Sequence, residues 1–197
     1  SRSLAEIGKK MEKVELEHCV IGTLADRTNG KNDKKLSLQR FVLRAFLEDV
    51  LIAATRRLER MSRGRYRLQR KATEGDRRVA GGLELEVEDA YTGIARPVYT
   101  LSGGESFQAA LALALGLSET VQAHAGGIQL DTIFIDEGFG SLDPEALDLA
   151  INTLIDLQQS GRLVGVISHV PELRERIDVR LEVSALKSGS RARFRLP

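Results

Sequence analysis

Cysteine is nearly absent from this chain: Cys19 stands alone among 197 residues. A single thiol excludes an internal disulfide framework and any zinc site built from cysteines. Long apolar runs are missing too. No stretch approaches the roughly 18 consecutive apolar residues needed to span a membrane, and the N-terminus carries no signal-peptide pattern. Internal repeats and low-complexity tracts are also lacking. These absences point to a cytoplasmic protein with no membrane partner. What is present is ordinary for a soluble globular chain, with 42% apolar and 29% charged residues. The length suits one domain with a real core and an extra element attached.

The net charge of +1 hides a segregation. From Arg56 to Arg78 there are ten Lys/Arg against three Asp/Glu, and from Ala80 to Ala150 twelve Asp/Glu against the single Arg96. Such a split can mark two surfaces with different partners, one anionic and one cationic or metal-bearing. On composition alone, a DNA-facing surface at Arg56 to Arg78 and a solvated helix end stand as equals.

Hydrophobic periodicity divides the chain. Leu4, Ile7, Met11 and Val14, followed by His18 and Ile21, keep the alternating three-and-four spacing of a coiled-coil seam, and a plain amphipathic helix is the alternative. The pattern opens without a capping signal beyond Ser1-Arg2-Ser3, as expected of a piece of something longer. Turn-forming residues from Thr28 to Asp33 interrupt it. Ser37 is a suitable N-cap for a long helix with apolar positions Leu38, Phe41, Val42, Ala45, Phe46, Val50, Leu51, Ala54 and Leu58, ending near Gly64. Strand-like alternation follows at Tyr66 and Leu68, and again from Leu83 to Glu88. Beyond Tyr99 the pattern becomes α/β. A buried helix from Glu105 to Leu117 precedes a buried strand at Thr132–Ile135. A helix capped by Asp143, with Pro144 in its first turn, then leads to a second buried strand at Leu163–Ile167. Strand, helix, strand in that order makes a parallel unit whose ligand-binding edge is the C-terminal ends of the strands.

Three places carry chemistry, the first and the last of them on that edge. Ile133-Phe134-Ile135-Asp136-Glu137 ends a strand in two adjacent carboxylates, one able to hold hydrated magnesium and the other to orient a water for attack on phosphate. Leu101-Ser102-Gly103-Gly104-Glu105 runs a glycine loop into a helix N-terminus, where backbone N–H groups attract phosphate; a tight turn capped by Ser102 is the plainer alternative. His169 follows the second strand and so emerges beside the carboxylates, where an imidazole can meet a terminal phosphate or the attacking water. His18 and His124 are expected to be structural.

The ordered set LSGGE, FIDEGFGSLD and ISH resembles the signature motif, Walker B, D-loop and H-loop of ABC-type ATPases. In detail it resembles the SbcC family of DNA-repair ATPases, relatives of the structural-maintenance-of-chromosomes proteins. The likeness covers Ser37 to Leu68, with GRYRL from Gly64, then RPVYTLSGGESFQAALALALGL from Arg96 and GRLVGVISHVPEL from Gly161. It implies ATP and Mg2+ as cofactors. Asp136 would be the magnesium-associated aspartate, Glu137 the catalytic carboxylate and His169 the switch histidine near the γ-phosphate. Asp143 would be the D-loop aspartate that communicates across a dimer. Leu101, Ser102, Gly103, Gly104 and Glu105 would form the signature loop, which touches ATP held by the opposite subunit. Residues 1–35 would end an antiparallel coiled coil, near whose base a nuclease docks, and residues 36–197 would form the C-terminal lobe of the head. That lobe is expected to be α/β, a mostly parallel sheet flanked by helices.

A departure qualifies the likeness. A P-loop requires GxxxxGK[ST], and the only Gly-Lys pairs, Gly8-Lys9 and Gly30-Lys31, are followed by neither Ser nor Thr. The resemblance therefore implies an ATPase only in the complete protein and an inactive half alone. Its implied partners are the N-terminal P-loop half, a second head in a homodimer, an SbcD-type nuclease subunit, and DNA. Two rivals share the motif order. A transporter's nucleotide-binding domain fits less well, because the heptads are present and FIDEGFGSLD replaces an LLDEP-type sequence. A recombination or chromosome clamp that uses ATP without a nuclease is the other. An acidic α/β domain without an ATP role would have to produce four motifs in order by accident.

Overall fold

The structure is a computed structural model that describes residues 2–33, 35–71, 83–124, 126, 130–187 and 189–196, with the backbone alone at 2–6. Helix α1 (Arg2–Thr28) occupies the stretch with coiled-coil spacing. Its seam is uncovered, since Ile7, Met11, Val14 and Ile21 are each more than half exposed. Such a stripe contributes little to stability until a second surface removes it from water. A turn closed by Asn32, whose Nδ2 donates to the carbonyls of Arg27 and Leu36, leads out of the helix.

Ser37 caps helix α2 (Leu38–Met61), its hydroxyl accepting from the Arg40 N–H at 3.3 Å. The apolar face of this helix is continuous in sequence but buried only toward its C-terminal end. Leu38, Phe41 and Val42 lie open, whereas Val50, Leu51, Ala54, Leu58 and Met61 are buried. The buried part packs against helix α3 (Gly103–His124), which runs past the expected end at Leu117 and contributes Ala109, Leu111, Ala112 and Leu115 to the same core. Gln108 of α3, itself buried, donates to the Met61 carbonyl at 3.0 Å and so satisfies an otherwise orphaned C-terminal acceptor of α2.

Strands β1 (Tyr66–Arg70), β2 (Leu85–Asp89) and β3 (Ile94–Pro97) form an antiparallel sheet in that order. Thr55 fastens it to α2: its hydroxyl donates to the Leu68 carbonyl at 3.1 Å and accepts the Leu68 N–H at 3.2 Å. Strands β4 (Thr132–Asp136) and β5 (Leu163–Ile167) pair in parallel, with helix α4 (Pro144–Gln159) as their crossover. Asp143 caps α4 through a 2.8 Å bond from the Ala146 N–H, as its place before Pro144 predicts. Helix α5 (Pro171–Arg176) and an antiparallel hairpin of β6 (Arg180–Leu186) and β7 (Gly189–Arg195) complete the described chain.

The α/β class holds, with two differences of detail. Among the described strands, parallel pairing is confined to β4 and β5. A short turn at Ala90–Gly93 can join only antiparallel neighbours, whereas the parallel pair needs the whole of α4 to return the chain. In addition, β4 and β5 were expected to be buried and are covered on one face only. Ile133, Ile135, Val164 and Val166 pack on the core, while Phe134 is 71% exposed and Leu163 64%. A pair of strands with helices on a single face leaves its other face to solvent. The hairpin of β6 and β7 was not expected, although Leu181, Val183 and Ala185 alternating with Arg180, Glu182 and Ser184 carry the two-residue strand period.

Truncation separates the two faces. Leu115→Ala, at a side chain 1% exposed, is expected to cost about 2–5 kcal/mol. Phe134→Ala should stay within roughly 1 kcal/mol in the same urea denaturation series of the chain. Equal losses would mean that the face around Phe134 is covered in solution.

Candidate functional site

The parallel register sets Asp136 beside Ile167, and the Glu137 N–H continues the pairing with a 2.9 Å bond to the Ile167 carbonyl. Both strands thus end together, and the loops that leave them are held at one edge. Glu137 and His169 meet there, with His169 Nδ1 3.0 Å from Glu137 Oε2. Paired in this way, the imidazole keeps Nε2 for a ligand. The side chain of Asp136 has no hydrogen bond or ion pair among the described residues, so its carboxylate is available to a cation.

The backbone at this edge is strained. Glu137 adopts φ +59° and Gly138 φ +98°. A left-handed conformation costs an ordinary residue on the order of 1 kcal/mol, and such residues gather at functional sites. At Gly138 a second constraint applies: a Cβ there would come within 2.2 Å of the Phe107 ring of α3. Phe107 in turn meets Phe139 edge-on, ring centroids 4.9 Å apart. These two phenylalanines, which lie inside the quoted motifs without being candidate site residues, wedge the loop after β4 against α3.

The glycine loop reaches the same region from α3. A Cβ on Gly104 would lie 2.8 Å from the Ser141 carbonyl oxygen, so the helix N-terminus rests directly on the Gly138–Leu142 turn. Ser102 and Glu105 form a reciprocal cap. The Ser102 N–H donates to Glu105 Oε2 at 2.9 Å, and the Glu105 N–H donates to Ser102 Oγ at 3.4 Å. The plainer reading of Ser102 as a cap is therefore realised. The cap leaves the N–H groups of Gly103 and Gly104 as the first-turn donors for an anion. Leu101 is half-buried against the core and anchors the loop from behind.

Glu105 is more than a cap. Its other oxygen accepts the Tyr66 hydroxyl, and the guanidinium groups of Arg65 and Arg96 lie 3.6 and 3.9 Å away. Burial by itself would raise its pKa, but the Tyr66 and Ser102 hydrogen bonds and Arg65 outweigh it and hold the carboxyl below its ordinary value. Tyr66 is pushed up to about 12, first by burial and then by the Glu105 carboxylate. Arg65 also holds the buried Asp89 at 3.0 Å, which keeps that carboxyl low, and it stacks over the rings of Tyr66 and Tyr91. Glu105 thus fastens the signature-like loop to β1 and β3, a contact that no motif spacing announces.

The basic surface read at Arg56 to Arg78 takes a different form. Arg57 pairs with Glu119, Arg60 with Asp156, Arg63 with Glu145, Arg67 with Glu59, Arg70 with Glu48 and Lys71 with Glu84. With Arg65 on Asp89, four of these seven pairs draw on the acidic stretch, and Asp156, Glu59 and Glu48 from outside it hold the other three. Arg77 and Arg78 lie outside the described residues.

Residues 76–156 match the family described as SbcC/RAD50-like, Walker B motif. The SbcC component of the SbcCD nuclease of Vibrio cholerae is 60% identical over 194 residues, 98% of this chain and 19% of that protein. The chain belongs to the SbcC/RAD50-like family. The SbcC component from Staphylococcus haemolyticus is 50% identical over 185 residues, 94% of this chain and 18% of that protein. The chain therefore spans about a fifth of the length of the curated relatives it matches. Its fold is that of SMC heads. The Smc head domain with a coiled coil and joint from Pyrococcus yayanosii superposes with TM-score 0.69 at 22% identity, over 98% of this chain and 34% of that one. A head from a study of ATP-driven dimerization of SMC ATPases superposes with TM-score 0.60 at 18% identity, over 78% of this chain and 87% of that one. The matched family region encloses Ser102–Glu105, Asp136, Glu137 and Asp143, while His169 falls in the stretch shared with the SbcCD relatives.

Acid should loosen the Glu105 junction. A carboxyl held low in the fold stabilises it above the unfolded pKa, and the gain is lost as pH falls through the folded one. Urea stability of the chain should therefore decline as pH drops below about 4.5, the ordinary value for Glu105. Glu105→Gln should lower stability at neutral pH and make that acid decline shallower.

Proposed function

We propose that this chain is the C-terminal half of the ATPase head of an SbcC-like subunit, working in the cytoplasm within an ATP-dependent DNA nuclease complex. Residues 1–35 would be the end of its coiled-coil arm and residues 36–197 its C-terminal lobe. The observation that carries this reading is the Glu137–His169 pair beside an unengaged Asp136, at the joint end of two parallel strands. The family match and the SMC-head fold support it. No helix among the described residues is long and apolar enough to cross a membrane.

The residues fit ATP and magnesium as cofactors. The described residues contain no cluster of three or more His, Cys, Asp or Glu able to cage a metal. Magnesium bound through one carboxylate and substrate phosphates needs no such cage, and Asp136 offers that carboxylate. Bound together, ATP and Mg2+ supply the phosphoanhydride to be cleaved and neutralise its charge. Glu137 orients the attacking water and takes up its proton, held for this by His169 through Nδ1. The left-handed turn at Glu137 and Gly138 aims that carboxylate off the strand end. Gly103 and Gly104 present their N–H groups to the nucleotide of a second head, while Ser102 stays engaged with the Glu105 carboxylate. Asp143, fixed as the α4 cap, holds the turn between the two groups in place.

The phosphate cradle must come from elsewhere, since no P-loop motif occurs in this sequence. The open face of β4 and β5, with Phe134 and Leu163, is the surface we assign to the N-terminal half that carries it. Opening and closing of the head dimer would gate an SbcD-type nuclease at DNA.

ATP turnover by the chain alone and mixed with the matching P-loop half tests the reading. Turnover is expected in the mixture only, and turnover by the chain alone would overturn the split-head assignment. In the full-length protein, Glu137→Gln should preserve ATP-driven head dimerisation while slowing hydrolysis by at least a hundredfold, on the order of 3 kcal/mol in the barrier. Undiminished turnover would remove Glu137 from the catalytic role.

A further inference from the structure

Positive charge that is neutralised in the Arg57–Lys71 stretch reappears, only partly paired, in the β6–β7 hairpin. In the β6–β7 hairpin, Arg180 lies opposite Arg195, Glu182 opposite Arg193 and Ser184 opposite Arg191. Alternation along each strand puts these six side chains on one face. The other face carries Leu181, Val183 and Phe194, all more than half exposed. The hairpin is thus two-sided, apolar on one side and basic on the other.

The basic side is incompletely balanced. Glu182 holds Arg180 and Arg195, each at 3.3 Å, and its carboxyl sits below the usual range because Arg195 hydrogen-bonds it. The side chains of Arg191 and Arg193 have no hydrogen bond or ion pair among the described residues, and both are exposed. Four arginines therefore face one glutamate. The three on β7 stand in a row, about 7 Å from one to the next, since a step of two residues along the strand leads from each to the following one. That interval is close to the distance between successive phosphates along one nucleic-acid strand. Guanidinium groups also suit phosphate better than ammonium groups do, because their planar fork can hold two oxygens at once.

We propose that the arginine row of β7, with Arg191 and Arg193 as its free members, binds the phosphate backbone of DNA; this rests on the DNA-nuclease reading above. An acidic protein segment is the competing occupant, and the composition of the face disfavours it. Protein interfaces place aromatic and aliphatic groups at their centre. This face offers arginine, glutamate and serine, with one aliphatic side chain, Leu186, at the turn end. A phosphate backbone needs charge at the right interval and no apolar centre.

The experiment uses the full-length subunit in its assembled complex and a duplex of random sequence over a series of salt concentrations. Arg191→Glu/Arg193→Glu should weaken DNA binding by roughly tenfold or more at low salt. It should also lower the slope of log K against log salt by about 2, since each lost phosphate contact removes about 0.9. Arg191→Lys/Arg193→Lys should keep most of that slope, and ATP turnover without DNA should be unchanged in both variants, which shows that the head is intact. Unchanged affinity and slope in the Glu variant would overturn the proposal. So would retained DNA binding with loss of the nuclease subunit, an outcome that assigns the row to an acidic protein surface. A wild-type complex that does not bind DNA would overturn the DNA-nuclease reading and this inference together. Loss confined to the Glu variant supports both.

Discussion

The carboxylate of Glu105 accepts from the Ser102 N–H, takes the Tyr66 hydroxyl and sits beside the guanidinium groups of Arg65 and Arg96. Four segments converge on this one side chain: the glycine loop, the first turn of α3, strand β1 and strand β3. Its position decides where the N-terminus of α3 points. That N-terminus in turn rests on the Ser141 turn, and α3 supplies Phe107 to the loop after β4. The candidate catalytic edge is therefore braced from the antiparallel sheet, through a cluster whose carboxyls are kept ionised by arginines and hydrogen bonds. A half-buried, multiply bonded carboxylate of this kind is more sensitive to loss of one partner than an exposed ion pair is.

The edge itself combines strain with order. Parallel pairing brings Asp136 and Ile167 into register, so Glu137 and His169 follow equivalent strand ends. The left-handed residues Glu137 and Gly138 then turn the chain sharply enough for α3 to approach. Neither feature suffices alone. Register without the turn would leave Glu137 continuing the strand, and the turn without register would leave His169 with no partner.

Charge is the property most altered by folding. A chain with a basic block and an acidic block suggests two oppositely charged surfaces, yet Arg57, Arg63, Arg65 and Lys71 are paired with Glu119, Glu145, Asp89 and Glu84 of the acidic block. Arg65–Asp89, whose carboxylate is buried, braces the fold, but the more exposed pairs among these are individually weak. Their effect here is to cancel a field rather than to stabilise the fold. The apolar surfaces behave in the opposite way, since the seam of α1, the face around Phe134 and the Leu181–Phe194 side of the hairpin all remain uncovered.

Much of the site was legible in the residues because its signals are local. Ser37 and Asp143 before their helices, the Ser102–Glu105 spacing and the strand–carboxylate junction at Ile135-Asp136-Glu137 each follow from backbone hydrogen bonding within a few positions. The ends of β4 and β5 could be placed together because a strand, a helix and a strand permit few arrangements. The hidden part depends on residues distant in the chain. Arg65, Tyr66 and Arg96 reach Glu105 across the sheet, Phe107 meets Phe139 across a loop, and the ion pairs join segments up to 96 positions apart. Which apolar strands are covered was hidden as well, because alternation reports that a face can be buried and says nothing of what lies over it. The sequence by itself determined the caps, the parallel unit and the identity of the chemical groups at its edge. Only the tertiary structure decided which charges survive pairing and which carboxylate braces the loop, because both depend on contacts that no local spacing encodes.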